Sequence, residues 1–267
     1  MNKAESALHE LNEMDELSSG NSIIHHFSAL AKLIVTIAYI LIVMSFDRYT
    51  ISKLMIMAVY PYVLFQLSGL SFSQCLYKLR FVLPLIFAVG IFNPLSDKRI
   101  FLTLGFLRIT YGWLSFLTMA LKGILALSAS YLLVGTTKID AICGAFRKLH
   151  VPSVIVDLLL LTYRYVSVMV EEVSIMTNAY HLRAPGQKGI HYTAWGSFLG
   201  QLLLRSMDKA KELYTSMLMR GFHGEFHYAD EKPWNIKDSL YIILWLLLFA
   251  LFRYVNMIQW IGNLFVR

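Results

Sequence analysis

The sequence predicts an all-α integral membrane protein with about five membrane helices and two long amphipathic helices outside the bilayer. Three observations predict it. The chain of 267 residues is 57% hydrophobic and 15% charged, where soluble domains run roughly 45–50% apolar and about 25% charged, and its mean hydropathy is positive. Apolar runs of spanning length recur along much of it. Between residues 136 and 238 those runs give way to apolar residues at helical spacing, set among most of the charges.

The elements follow in order. Residues 1–22 carry Glu5, Glu10, Glu13, Asp15 and Glu16 against the single Lys3. That is the wrong sign for the positive region of a secretory signal, so an uncleaved, solvated acidic tail is expected. Residues 23–135 hold four membrane segments, each judged against the roughly 20 apolar residues that a spanning helix needs. The first, 27–46, has one charge near its start, Lys32, placed to snorkel to the interface. The second, 54–70, contains Pro61, which a membrane helix tolerates where a neighbour satisfies the freed carbonyl. The third, 81–95, is punctuated by Pro84 and Pro94, and 101–113 follows it as a short extended or re-entrant piece. The fourth, 114–135, includes Lys122 and the small residues Gly123, Ala126, Ser128, Ala129 and Ser130, suited to close helix contact. A fifth segment, 240–262 within 239–267, offers Trp245, Tyr254 and Trp260 as interfacial anchors.

Residues 136–238 differ, with no continuous apolar run of spanning length. Val154, Leu158, Leu161, Tyr165, Val168, Ile175, Ala179 and Leu182 make one stripe, interrupted by Glu172, and Leu203, Met207, Ala210, Tyr214 and Met217 make another. Such spacing predicts two amphipathic helices, each roughly 40 Å long at about 1.5 Å per residue. Pro152 suits the first turn of the first helix. The stretch "APGQKG" (184–189) separates the two helices, and "GFHG" (221–224) ends the second. Lys and Arg occur on both sides of the short loops, so charge alone does not set the orientation. An N-terminus inside, with 136–238 also inside, is the arrangement that an even number of preceding spans permits.

Few chemistries fit. The net charge of +7 comes without a basic run of five or a nucleic-acid motif, so no nucleic-acid partner is expected. Cys75 and Cys143 lack CxxC spacing, which argues against a disulfide framework or zinc site and for small apolar fillers. No GxxxxGK[ST], HExxH or GxSxG occurs. The segment "HGEFH" places His223, Glu225 and His227 together, with His181 and His191 in the same region as further ligands. A membrane metalloenzyme is the rival this suggests, although the spacing is not that of zinc proteases. A self-sufficient channel or secondary transporter is a second rival, but it would place ionisable residues inside its spans, which hold few, Lys32 and Lys122 among them. The arginines fit better: Arg183 ends the first amphipathic helix and Arg220 the second, positions where a cation also complements the helix dipole.

The stretch "LLLRSMDKAKELYTSMLMRGFHGEF" resembles the signature of the transmembrane component of energy-coupling factor (ECF) transporters. Its RGF-x-G ending is most similar to the CbiQ branch. The likeness extends upstream through "FRKLHVPSVIVDLLLLTYRYVSVMVEEV", and covers the chain from about residue 25 to 225. It implies a non-catalytic membrane subunit without a cofactor, in the inner membrane, with two coupling helices on the cytoplasmic side. Each coupling helix of that family ends in a three-residue motif, commonly Ala-Arg-Gly, whose arginine docks on one ATP-binding cassette ATPase subunit. Carried over, the motifs are Leu182-Arg183-Ala184, which departs at both flanks, and Met219-Arg220-Gly221. The implied partners are two ATPase subunits, a substrate-binding membrane subunit and lipid. The implied cargo is cobalt.

Overall fold

A computed structural model describes residues 3–47, 50–80, 82–92, 100–104, 107–187, 189–224 and 234–254. The helices are α1 (Lys3–Ser18), α2 (Ala29–Met44), α3 (Ile51–Met57), α4 (Val59–Ser68), α5 (Phe72–Leu79), α6 (Leu83–Gly90), α7 (Tyr111–Thr136), α8 (Ile139–Lys148), α9 (Ser153–Arg183), α10 (Trp195–Met219) and α11 (Ile236–Tyr254). A hairpin of β1 (Ile100–Leu104) and β2 (Leu107–Thr110) precedes α7, with Leu104 opposite Leu107 and Thr103 opposite Arg108. This is the piece expected to be extended. The chain divides into two compact units, residues 17–138 with 232–267 and residues 1–16 with 139–231.

The first unit is an apolar helical bundle. By length and composition 51–68 and α7 can each cross a membrane, and α5 with α6 form a pair bent by 55° that can count as one span. The described part of the segment expected at 81–95 is α6, which follows α5 at that bend because Pro84 in its first turn cannot extend the preceding helix. Residues 81 and 93–95, with Pro94, lie outside the described residues. Helix α2 is apolar but only 16 residues long. The fifth expected segment is α11 as far as Tyr254, with Trp260 outside the described residues.

Its core is built from named pairings. Tyr39, Tyr60, Trp245 and Phe249 are all buried, with the Tyr39 and Tyr60 ring centroids 4.4 Å apart and Trp245 edge-on to Tyr60 at 4.8 Å. Trp245 is thus a core residue rather than an interfacial anchor. Pro61 has no N–H for the Met57 carbonyl one turn back, and the Tyr39 hydroxyl donates to that carbonyl at 3.0 Å. The orphan acceptor created by the proline is satisfied from α2. Helices α6 and α7 meet through glycines: a Cβ on Gly123 would lie 2.6 Å from Ile86, and one on Gly90 2.7 Å from Phe116. Gly123, one of the small residues of α7, thus serves packing within this chain.

Lys32 does not snorkel. It is 4% exposed, and its Nζ donates to the Thr136 carbonyl at 2.7 Å and the Thr137 hydroxyl at 3.2 Å. A buried ammonium needs such partners, and the carboxyl end of α7 supplies both acceptors and a favourable dipole. Asp238, also buried, accepts the Ser28 N–H at 2.9 Å and the Asn235 N–H at 3.0 Å, joining the start of α11 to that of α2. Cys75 is buried within this core.

Candidate functional site: the arginine-tipped helices

The second unit carries the candidate residues. Helix α8 packs on the start of α9 through Cys143, Val156 and Leu160, with Ile139, Phe146 and Val151 around them. Arg164 pairs with Asp140 at 3.3 Å across the same two helices. Tyr163 donates to Asp15 of α1 at 2.6 Å, so the end of the acidic segment is a helix held against α9. Burial first, then the charges of Asp140 and Asp157, push the Cys143 thiol up to about 11.

The stripe expected from the sequence on α9 is only partly covered, with Leu161, Tyr165, Val168 and Ala179 half-buried. Val154, Leu158, Ile175 and Leu182 are exposed, whereas Val156 and Leu160 are buried. Helix α10 repeats the pattern: Leu203, Met207 and Tyr214 are exposed, and half-buried Phe198, Leu202, Leu213 and Met217 form its covered line. Apolar periodicity marks surface that avoids water, without saying which neighbour covers it. Helix α9 is moreover long and apolar enough to cross a membrane by composition, so the region 136–238 does contain a run of spanning length. Asp157 and Arg164 interrupt that run without ending it.

Glu172 is the residue at the break in the first stripe, and it forms an ion pair with Arg205 of α10. From this pair the helices run in opposite senses. Tyr165 and Val168 of α9 line an open groove of about 380 Å³ together with Lys209, Glu212, Leu213, Ser216, Met217 and Arg220. Earlier residues of α9 thus face later residues of α10, and Arg183 lies beyond the crossing on the other side.

The two helix ends differ in construction. Arg220 is the last residue before a left-handed Gly221 (φ +80°), with Gly221 N–H donating to Leu218 O at 3.0 Å and Phe222 N–H to Met217 O at 3.0 Å. This six-to-one and five-to-two pair is the Schellman closure, which needs glycine because a Cβ disfavours that backbone region. In α9, Arg183 is the last helical residue, and Ala184 (φ −127°, ψ 67°) has left the helical region ahead of Pro185. A residue before proline is disfavoured in that region. The arginines are thus offset by one position relative to their helix ends. Both side chains are exposed, and each follows an exposed apolar residue, Leu182 at 84% and Met219 at 85%. Among the described residues no hydrogen bond or ion pair holds either guanidinium.

Among the described residues no three metal-binding side chains converge. His223 is exposed, while Glu225 and His227 lie outside the described residues. Sequence reasoning missed the Glu172–Arg205 pair, although the break in the apolar stripe was its signal.

Several helices long and apolar enough to cross a membrane define a class, the multi-pass membrane proteins. The chain belongs to the CbiQ family, described as cobalt transport protein, which matches residues 20–228. It is 31% identical to the cobalt transport protein CbiQ of Rhodobacter capsulatus over 38% of this chain and 42% of that one. It is 25% identical to the energy-coupling factor transporter transmembrane protein EcfT of Lactococcus lactis, over 84% of this chain and 90% of that one. An uncharacterised protein of Methanocaldococcus jannaschii is 26% identical over 71% of this chain and 68% of its own length. These relatives are named as transport proteins or left unassigned, and none as an enzyme.

Proposed function

We propose that this chain is the transmembrane coupling subunit of an ECF-type importer for cobalt. It carries the movement of two cytoplasmic ATPase subunits, through Arg183 and Arg220, to a separate substrate-capturing membrane subunit. One observation carries the reading: two antiparallel long helices each end in an exposed apolar side chain followed by an exposed arginine. A guanidinium is always charged and presents a planar fork to a carboxylate. The apolar neighbour adds area that gains by leaving water, so each tip is a compact docking element. The crossing sends the two tips to opposite sides, as docking on two ATPase subunits requires. Binding and hydrolysis of ATP belong to those partners, in keeping with a chain that has no phosphate-binding loop of its own.

The double change Arg183→Glu and Arg220→Glu tests this. It is expected to abolish co-purification of the ATPase subunits and cobalt uptake, with membrane insertion of the chain unchanged. Uptake at the normal level by that variant would sink the reading. Uptake of nickel in place of cobalt, with the same dependence on the arginines, would correct the cargo and keep the mechanism.

A further inference from the structure

We propose that the Glu172–Arg205 ion pair is the pivot of the two arginine-tipped helices: a positioning pair that holds the crossing so that movement at one tip is transmitted rather than absorbed. This rests on the coupling reading above. The pair is an unusual choice for its place. Glu172 interrupts an otherwise apolar stripe, and its side chain is only 14% exposed. A covered carboxylate is costly unless an opposite charge compensates it, and Arg205, itself 44% exposed, does so from the other helix. Apolar residues at both positions would have packed without that cost. What a charge pair adds is position: it pins one point of α9 to one point of α10 against sliding.

It also leaves rotation free. Helix α10 has no buried residue, and beyond the pair the two helices are separated by the groove that Val168 and Leu213 line. Fully buried packing would resist a change of crossing angle, whereas this half-buried line with one charge pair permits it. The lever arms follow from the sequence. Arg183 is 11 residues beyond Glu172 and Arg220 is 15 beyond Arg205, roughly 16 Å and 22 Å along the helices. A rotation of about 10° at the pivot then displaces the tips by roughly 3–4 Å, on opposite sides of the crossing.

The test uses the complete transporter in liposomes, with the single reversals Glu172→Arg and Arg205→Glu and the swap that combines them. Each is made with and without the pair Val168→Cys and Leu213→Cys, in a chain carrying Cys75→Ala and Cys143→Ala. In each single reversal the ATPase subunits are expected to remain bound, because Arg183 and Arg220 are intact. Cobalt transported per ATP hydrolysed falls about tenfold or more, the size expected for a close charge pair. The yield of the disulfide joining the two introduced thiols under mild oxidation falls as well. The swap restores both the transport ratio and the disulfide yield. An unchanged transport ratio in either single reversal overturns the pivot, as does a swap that remains as poor as the singles. Loss of the ATPase subunits from a single reversal also overturns it, since the pair would then shape the docking ends. Failure of the coupling reading shows separately, as ATPase subunits retained by the Arg183→Glu, Arg220→Glu chain.

Discussion

Lys32 and Lys122 cap each other's helices. Lys32 on α2 donates to the Thr136 carbonyl that ends α7, while Lys122 on α7 donates to the Met44 carbonyl at 3.2 Å and to the Phe46 carbonyl, at and just past the end of α2. The two helices are antiparallel, so each lysine meets the negative end of its neighbour's dipole. The Lys32 bonds are buried, those of Lys122 more open, and each ammonium serves carbonyls that a helix end leaves unbonded within the helix.

Replacing either lysine by methionine keeps the apolar stem and removes the donor. Each single change is expected to lower stability by about 1.5–3 kcal/mol, the range for a hydrogen bond to a charged group. Thermal unfolding in detergent, followed by tryptophan fluorescence, checks it. Lys122→Arg should lose far less than Lys122→Met, and equal stability of the wild type and both methionine variants would refute the mutual capping.

Tyr39→Phe removes the hydroxyl that serves the Met57 carbonyl, at an expected cost of about 1 kcal/mol. Pro61→Ala supplies an N–H one turn above the same carbonyl. In that background Tyr39→Phe should cost measurably less, giving a coupling of about 0.5–1 kcal/mol in a double-mutant cycle. Strict additivity of the two changes would show that the hydroxyl and the proline are unrelated.

Gly221→Ala places a Cβ on a residue at φ +80°, where nothing beyond its chain neighbours lies within 4 Å of the added carbon. The cost is therefore conformational, about 1–2 kcal/mol, and it falls on the turn that holds Arg220. Weaker retention of the ATPase subunits is expected, with stability of the membrane bundle unaffected. Ala184→Gly should leave retention nearly unchanged, because Ala184 sits at negative φ. Co-purification of the ATPase subunits with each variant separates the two ends.

Cys143 should resist maleimide at pH 8 in the folded chain and react once the chain is denatured. Its thiol is held up to about 11 by burial and by Asp140 and Asp157, against an ordinary value of 9.0. The sign of the linkage follows. Below pH 9 the thiol is protonated in both states, and as pH rises through 9 toward 11 only the unfolded thiol ionises, so folding loses stability across that window. Cys143→Ser, less acidic than a thiol, should flatten this alkaline loss; rapid labelling of the native chain would contradict the account.

The parts legible in the sequence were those governed by local rules. The positions of the amphipathic helices, the break at 184–189 and the stop at Gly221 follow from proline, glycine and helical spacing, all of which act within a turn or two of chain. The arginine at the end of each helix was visible for the same reason. The offset between them was not. It depends on whether the residue after arginine enters the left-handed region, as Gly221 does, or is turned out of the helix by a following proline, as Ala184 is.

Only the tertiary structure decided which apolar faces pack, what Lys32 bonds to and what Glu172 pairs with. Lys32 is 104 residues from its acceptor and Glu172 is 33 from Arg205. Composition and periodicity determined that this is a membrane protein with two long helices after its fourth apolar segment, because solvent preference is a property of each residue alone. That the first of them is itself apolar enough to span is read from its full helical length. Pairing is a property of two residues brought together by folding, and no spacing along the chain records it. A lysine in an apolar helix satisfies the same pattern whether it reaches out to the interface or caps a neighbour; the carbonyls of Thr136 and Phe46 made the choice.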